Sequence, residues 1–347
     1  MSSVKAYATA SATSPLAPST IDRREVGPHD VEIELAYCGV CHSDIHMARD
    51  EWGNSSYPMV PGHEMVGRVT KVGAHVTQFK AGDLAGVGCL VDSCRTCASC
   101  ERDLEQFCEK GAAFSYNSTE MDRKTPTYGG YSGSVVVDEA FTLRISPKLD
   151  LAAAAPLLCA GITTYSPLRQ WEVGEGTKVG IVGLGGLGHM AVKIAAAMGA
   201  EVTMLSTSKS KEADARKLGA TGFGLTSDPE TFKRLAGSFD FILDTISAPH
   251  DYNAYLSLLR LEGAMVVVGV PPAPTPVAAM SLIFGRKILA GSLIGGIRET
   301  QEMLDFCAEH GIVSEIELIP VGKINEAYER MLKNDVRYRF VLDLKTL

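Results

Sequence analysis

The sequence predicts an α/β protein in two parts, one β-rich and one a doubly wound parallel sheet, on three observations. Residues 31–37 and 65–73 alternate apolar and polar side chains with the period of two of a half-buried strand. From Ala152 the texture changes to short apolar runs separated by helical segments, the rhythm of successive β-α-β units. The length of 347 residues, 46% of them hydrophobic, exceeds one typical domain and suffices for two cores.

The elements follow in chain order. Val31, Ile33, Leu35 and Tyr37 fall on one face of the first strand, and Gly and Pro punctuate the β-rich part throughout. Residues 177–182 then read as a buried strand, residues 189–198 as a helix and residues 201–205 as the next buried strand. Further buried strands are expected at 239–243 and 265–268, each after a helical stretch. Amphipathic helices at 299–310 and 324–333 and a strand at 338–344 close the chain. The texture places the domain switch near Leu151 and the return near Ala290.

The net charge is −8, from 33 basic and 41 acidic residues, and Lys and Arg are scattered. No basic footprint for nucleic acid or an anionic membrane is built, so neither partner is expected. Residues 1–16 carry no apolar signal core, and the most apolar stretch, 151–162, is short and broken by Pro156. Nine cysteines, an odd number, mostly in spacings that suit metal, fit a reducing compartment. A soluble, cytoplasmic protein is expected.

Cys94, Cys97, Cys100 and Cys108 form two overlapping C-x-x-C steps with a fourth thiolate eight positions on. Short loops of this kind let successive Sγ atoms point at one zinc ion about 2.3 Å away. Disulfide pairing or plain buried thiols are the alternative, which a reducing compartment disfavours. A closed four-sulfur site leaves no open position for a substrate, so a zinc held here is structural.

Gly183, Gly185 and Gly188, with Gly186 and Leu187 between them, satisfy G-x-G-x-x-G after a buried strand and at the opening of a helix. In that context glycine backbone can approach a pyrophosphate while the helix N-terminus supplies amides and positive dipole. Roughly twenty residues on, an Asp or Glu would hold the ribose of NAD. Here stand Ser206, Thr207, Ser208 and Lys211, hydroxyls and an ammonium without a carboxylate, which favours NADP; a solvated polar loop is the bland alternative.

Cys41, His63 and Cys159 make up the Cys₂His inventory of an open catalytic zinc, although each alone is unremarkable. Taken together, Gly39-Val40-Cys41-His42-Ser43-Asp44, Val60-Pro61-Gly62-His63-Glu64, the segment from Pro156 to Tyr165, the four-cysteine lobe and the glycine fingerprint match a family. The chain resembles the zinc-dependent medium-chain alcohol dehydrogenases, specifically the cinnamyl alcohol dehydrogenase branch with its bacterial NADPH-dependent aldehyde reductases. The resemblance runs from Val31 to Leu344.

It implies a GroES-like β-rich catalytic domain made of residues 1–151 and 291–347, with a Rossmann NADP-binding domain of residues 152–290 inserted between. The active site is expected in the cleft between them. Cys41, His63 and Cys159 become catalytic-zinc ligands, Glu64 a transient ligand, and Asp44 the carboxylate that orients His63. Ser43 and His46 form the proton path, and His42 and Arg339 contact the pyrophosphate. Thr163 packs on the nicotinamide, and Val270, Ser292 and Ile294 complete the cofactor contacts. Trp52, Leu90, Tyr116 and Ile294 are expected as pocket walls suited to aromatic or medium-chain aldehydes. Two zinc ions per chain, one catalytic and one structural, and a homodimer are implied. So is an NADP(H)-dependent exchange of aldehydes and primary alcohols that favours aldehyde reduction. A zinc-free quinone or enone reductase, and a non-catalytic zinc- and NADPH-binding protein, are the rival readings; the full ligand set and the intact Ser43, Asp44 and His46 oppose them.

Overall fold

A computed structural model describes residues 2–347 and divides the chain into two compact units, Met1–Cys159 with Gly295–Leu347, and Ala160–Ile294. The first unit opens with the hairpin β1 (Ser2–Ala8) and β2 (Ala17–Arg23), followed by β3 (Asp30–Val40), α1 (His42–Ala48), β4 (Met65–Val72) and β5 (Leu84–Val87). A small sheet of β6 (Leu90–Asp92) and β7 (Ala113–Phe114) follows, then β8 (Ser134–Asp138), β9 (Leu143–Arg144) and the short α2 (Leu151–Ala154).

The second unit runs α3 (Ala160–Gln170), β10 (Lys178–Val182), α4 (Gly188–Ala197), β11 (Glu201–Ser206), α5 (Glu212–Lys217), β12 (Gly222–Leu225) and α6 (Pro229–Arg234). It continues through β13 (Phe239–Asp244), α7 (Tyr252–Leu258), β14 (Leu259–Val267), α8 (Ala279–Ile283) and β15 (Ile288–Gly291). The chain then returns to the first unit for α9 (Ile297–His310), β16 (Ile316–Pro320), α10 (Ile324–Leu332) and β17 (Arg339–Asp343).

In the first unit a seven-stranded sheet has the order β16-β17-β3-β4-β5-β9, with β8 also pairing β3. Strand β3 carries the core because Val31, Ile33 and Leu35 are buried together, each removal from water contributing roughly 1.5–3 kcal/mol. The alternation then slips. A register shift between Leu35 and Tyr37 against β4 moves Tyr37 off the core face and puts Cys38 and Val40 there instead. One extra residue in one strand of a pair has this effect, since side chains alternate with a period of two. The units divide after Cys159 and after Ile294, beyond 151 and 290, because residues 151–158 form α2 and a buried turn packed on β3 and β4.

In the second unit all six strands are parallel, in the order β12-β11-β10-β13-β14-β15. The order reverses between β10 and β13, which makes the carboxyl ends of these two strands the switch point where such sheets bind ligands. Val182, Leu205, Ile242, Leu256 and Met265 belong to one continuous core there. Among the described residues no single helix is long and apolar enough to cross a membrane.

Candidate metal centres and nucleotide site

Cys41 occupies the N-cap of α1, and Asp44 in the first turn accepts a hydrogen bond from the Cys41 amide at 2.9 Å. A carboxylate three residues into a helix satisfies an otherwise orphaned donor in this way, and here it fixes the backbone from which the Cys41 thiol projects. His63 and Glu64 follow Gly62, whose φ of +105° is open to glycine, and a Cβ there would lie 2.7 Å from the Tyr131 ring. Cys159 ends the turn after α2. All of these side chains are buried, and ligand atoms of Cys41, His63, Glu64 and Cys159 lie within 4.8 Å of one another.

The two thiols are 3.9 Å apart, close to the roughly 3.8 Å edge of a tetrahedron with metal–sulfur bonds of about 2.3 Å. Glu64 Oε2 is buried with no hydrogen-bond partner, while its other oxygen is paired with the Arg339 guanidinium. The Cys159 thiol, by hydrogen bonding, holds Cys41 well below the usual thiol range, with Arg339 and His63 adding to the effect. Hydrogen bonding to the Cys41 sulfur correspondingly pushes the Cys159 thiol up. Burial pushes Glu64 up to about 7 against the pull of Arg339. Two thiols, an imidazole nitrogen and an unpartnered carboxylate oxygen in one dry cluster suit zinc, and the residues present fit that group.

Behind the cluster, Asp44 accepts from His63 Nδ1 and the Gly62 amide at 3.1 Å each, and from the Tyr131 hydroxyl at 3.2 Å. Burial alone would lower the pKa of His63, but the Asp44 carboxylate outweighs it and raises the value. With Nδ1 engaged, Nε2 is the nitrogen left for a ligand role. Tyr131 in turn accepts from Tyr328 at 3.5 Å, a buried phenol chain that no spacing in the sequence announces.

The four-cysteine segment makes a lobe of two tight turns, Cys100–Arg102 and Glu105–Phe107. Cys97 Sγ lies 3.4 Å and Cys94 Sγ 4.0 Å from Cys100 Sγ, and all four sulfurs share one centre. Backbone amides of Cys94 and Glu109 point at the sulfurs of Cys108 and Cys97, each at 3.4 Å, an arrangement that favours thiolates. Hydrogen bonding, first from the Thr96 backbone, pulls Cys94 down to about 6, whereas burial lifts Cys100 to about 12. The lobe is tied to the start of α9, where Arg298 reaches Asp103 at 2.8 Å and the Ile297 amide donates to Glu105 at 3.1 Å.

In the second unit the glycine turn lies at the carboxyl end of β10. A Cβ on Gly188 would sit 1.8 Å from the Gly183 carbonyl oxygen, so the strand and α4 approach too closely for any other residue. Gly185 opens into free space, and Gly186 and Leu187 lead into α4. Ser206 ends β11 nearly buried, and its hydroxyl accepts from the Ser208 amide at 3.3 Å. Lys211 reaches back to the Leu184 carbonyl at 2.8 Å, which brings the polar loop against the glycine turn; the exposed Thr207 lies on the same loop.

Other expected residues are spread more widely. Ser43 lies 3.7 Å from Cys41 Sγ, and burial pulls His42 below the usual imidazole range. His46 Nδ1 contacts Glu51, which the sequence reading did not single out; the helix ends at Ala48 and the following turn carries Glu51 back over it. Trp52 is exposed and lies beside His46, ring centres 5.1 Å apart and planes tilted by 33°. Leu90 is buried in β6, and Tyr116 is buried against the His63 ring. Arg339, expected at the pyrophosphate, is buried and paired with Glu64, because a buried carboxylate in this cluster attracts the nearest guanidinium. Thr163 is buried in α3, Val270 is exposed, the Ser292 amide donates to Val267, and Ile294 adopts a φ of +38°.

Residues 27–147 match the alcohol dehydrogenase GroES-like domain and residues 186–309 the zinc-binding dehydrogenase domain. With the two-unit fold, these matches define the class as an oxidoreductase with a GroES-like domain and a Rossmann-like domain. The chain is 59% identical to NADP-dependent alcohol dehydrogenase C 1 of Mycolicibacterium smegmatis, over 100% of this chain and 99% of that protein. It is 54% identical to aldehyde reductase YahK of Escherichia coli, over 99% of each. A solved cinnamyl alcohol dehydrogenase from Sorghum bicolor superposes with a TM-score of 0.96 at 45% identity, covering 99% of this chain and 98% of that one. The chain belongs to the zinc-dependent alcohol dehydrogenase family.

Proposed function

We propose that this chain interconverts aldehydes and primary alcohols with NADP(H), with aromatic, cinnamyl-type and medium-chain aldehydes as its substrate class. The observation that carries the reading is the buried set of Cys41, His63 and Cys159 beside an unpartnered Glu64 oxygen. The names of the relatives, an NADP-dependent alcohol dehydrogenase, an aldehyde reductase and a cinnamyl alcohol dehydrogenase, support it. Two zinc ions per chain fit the two clusters, and nine cysteines, an odd number mostly in spacings that suit metal, suit the cytoplasm.

When bound, zinc supplies a Lewis acid for the carbonyl oxygen and NADPH supplies the hydride. Cys41, His63 and Cys159 hold the metal, and Asp44 fixes the His63 tautomer through Nδ1. Glu64, paired with Arg339 through one oxygen, has its other oxygen unpartnered and would be the further residue able to hold the metal. Ser43 would pass the proton from the reacting oxygen, by way of the cofactor ribose, to His46. His46 holds Nδ1 against Glu51, so Nε2 is the atom that exchanges with solvent. Trp52 offers an exposed aromatic face beside that path, suited to an apolar aldehyde. The glycine turn takes the pyrophosphate, while Ser206, Thr207, Ser208 and Lys211 take the 2′-phosphate.

Aldehyde-dependent NADPH oxidation over a panel of benzaldehyde, cinnamaldehyde and terpenoid aldehydes, with zinc counted per chain, tests the reading. No turnover with any of them by the two-zinc protein would overturn it. Ser206→Asp should lower the preference for NADPH over NADH by about tenfold to a hundredfold by like-charge repulsion. An unchanged ratio of kcat/KM values would show that the 2′-phosphate lies elsewhere.

A homodimer is the assembly we favour, because β15 is a sheet edge and Ile288 on it, with Met280, Ile283 and Phe284 just before it, are exposed apolar groups. Light scattering that returns a monomer mass at micromolar concentration would rule this out.

A further inference from the structure

Strand β13 ends at Asp244, which is fully buried at the switch point of the sheet. Its carboxylate accepts from the Ile246 amide at 3.1 Å and lies 2.8 Å from His250 Nε2. The other ring nitrogen, His250 Nδ1, is 2.8 Å from the Ala248 carbonyl oxygen. A carboxylate and a carbonyl only accept, and a neutral imidazole has one N–H, so the imidazolium alone satisfies both contacts.

Residues 244–250, closed by His250, form a wall of the glycine turn. The Thr245 hydroxyl donates to the Val182 carbonyl at 2.7 Å and lies 3.2 Å from that of Gly183. A Cβ on Gly183 would stand 2.9 Å from Ile246 Cγ1, which leaves the turn no slack on that side. The shape of the turn therefore depends on where this segment is held.

We propose that His250 is a positioning residue for the dinucleotide. As an imidazolium bridging Asp244 and the Ala248 carbonyl, it holds residues 245–250 against the Gly183 turn, and NADP(H) binds more weakly once it loses a proton. The proposal rests on the reading of that turn as the nucleotide site.

The groups facing His250 are Asp244 from β13, Asp251 at the N-cap of α7, and the phenols of Tyr252 and Tyr255 from α7, whose ring centres lie 5.0 and 5.5 Å away. Burial lowers the His250 pKa, but the Asp244 and Ala248 acceptors outweigh it and raise the value above the usual 6.5. The bridge is thus complete below the ordinary imidazole range and is lost as pH rises through the raised folded value.

The test is calorimetric titration of the full chain with NADPH from pH 6 to pH 9, for the unaltered protein and for His250→Gln, which keeps one donor and cannot titrate. The 2′-phosphate titrates equally in both, so the difference between the two curves isolates His250. The unaltered protein should lose about fivefold more affinity across this range than the variant. Parallel curves would overturn the proposal. If His250→Gln does not fold, the ring resonances of His250 in the unaltered protein decide the matter. A neutral ring at pH 6 overturns the proposal, and a charged ring that titrates above 6.5, with weaker NADPH binding over the same interval, supports it. Failure of NADPH to bind at any pH would instead overturn the nucleotide-site reading.

Discussion

Cys159→Ser should lower kcat/KM for aldehyde reduction by about a thousandfold or more and cut the zinc content from two per chain to one. A serine hydroxyl keeps its proton at neutral pH, so the buried set loses one of its three N/S ligands where Cys41 and His63 are already oriented. The fold should survive, because Cys159 lies in a turn and its replacement is nearly isosteric. Plasma emission spectroscopy, an aldehyde assay and a melting curve together test this. Near-normal turnover in a variant that lacks the second zinc would end the case for a catalytic metal at this cluster.

Cys97→Ala should act in the opposite order, on stability before chemistry. Structural zinc sites contribute folding free energy directly, and the loss here should be at least about 3 kcal/mol. The variant should retain one zinc per chain, melt well below the unaltered protein and keep most of its turnover per folded molecule when assayed cold. Normal melting with lost hydride transfer would exchange the roles of the two clusters.

The β-α-β part was legible because buried parallel strands appear as apolar runs, and the glycine turn sits where strand and helix are both plain. The phase slip in β3 was not legible, since a bulge leaves the local pattern of apolar residues intact while exchanging its faces. The members of the two candidate metal clusters were legible as residue types in motifs. Their supports were harder to see: Tyr131 stands 87 positions from Asp44, and Glu51 meets His46 through the turn that ends α1. Arg339 was noticed, but its pairing with Glu64 was not, because a motif says nothing of which buried carboxylate lacks a partner.

The contacts of the four-cysteine lobe with α9 join residues 195 and 192 positions apart in the chain. Closing a loop of that length costs entropy that grows only with the logarithm of its length, so a few bonds from a preassembled lobe go far toward meeting it. The unit of Met1–Cys159 and Gly295–Leu347 is thereby closed on itself by these bonds as well as by the pairing of β17 with β3, with residues 160–294 as the intervening chain. A zinc held by the lobe, as proposed above, would thus secure the discontinuous unit without touching a substrate.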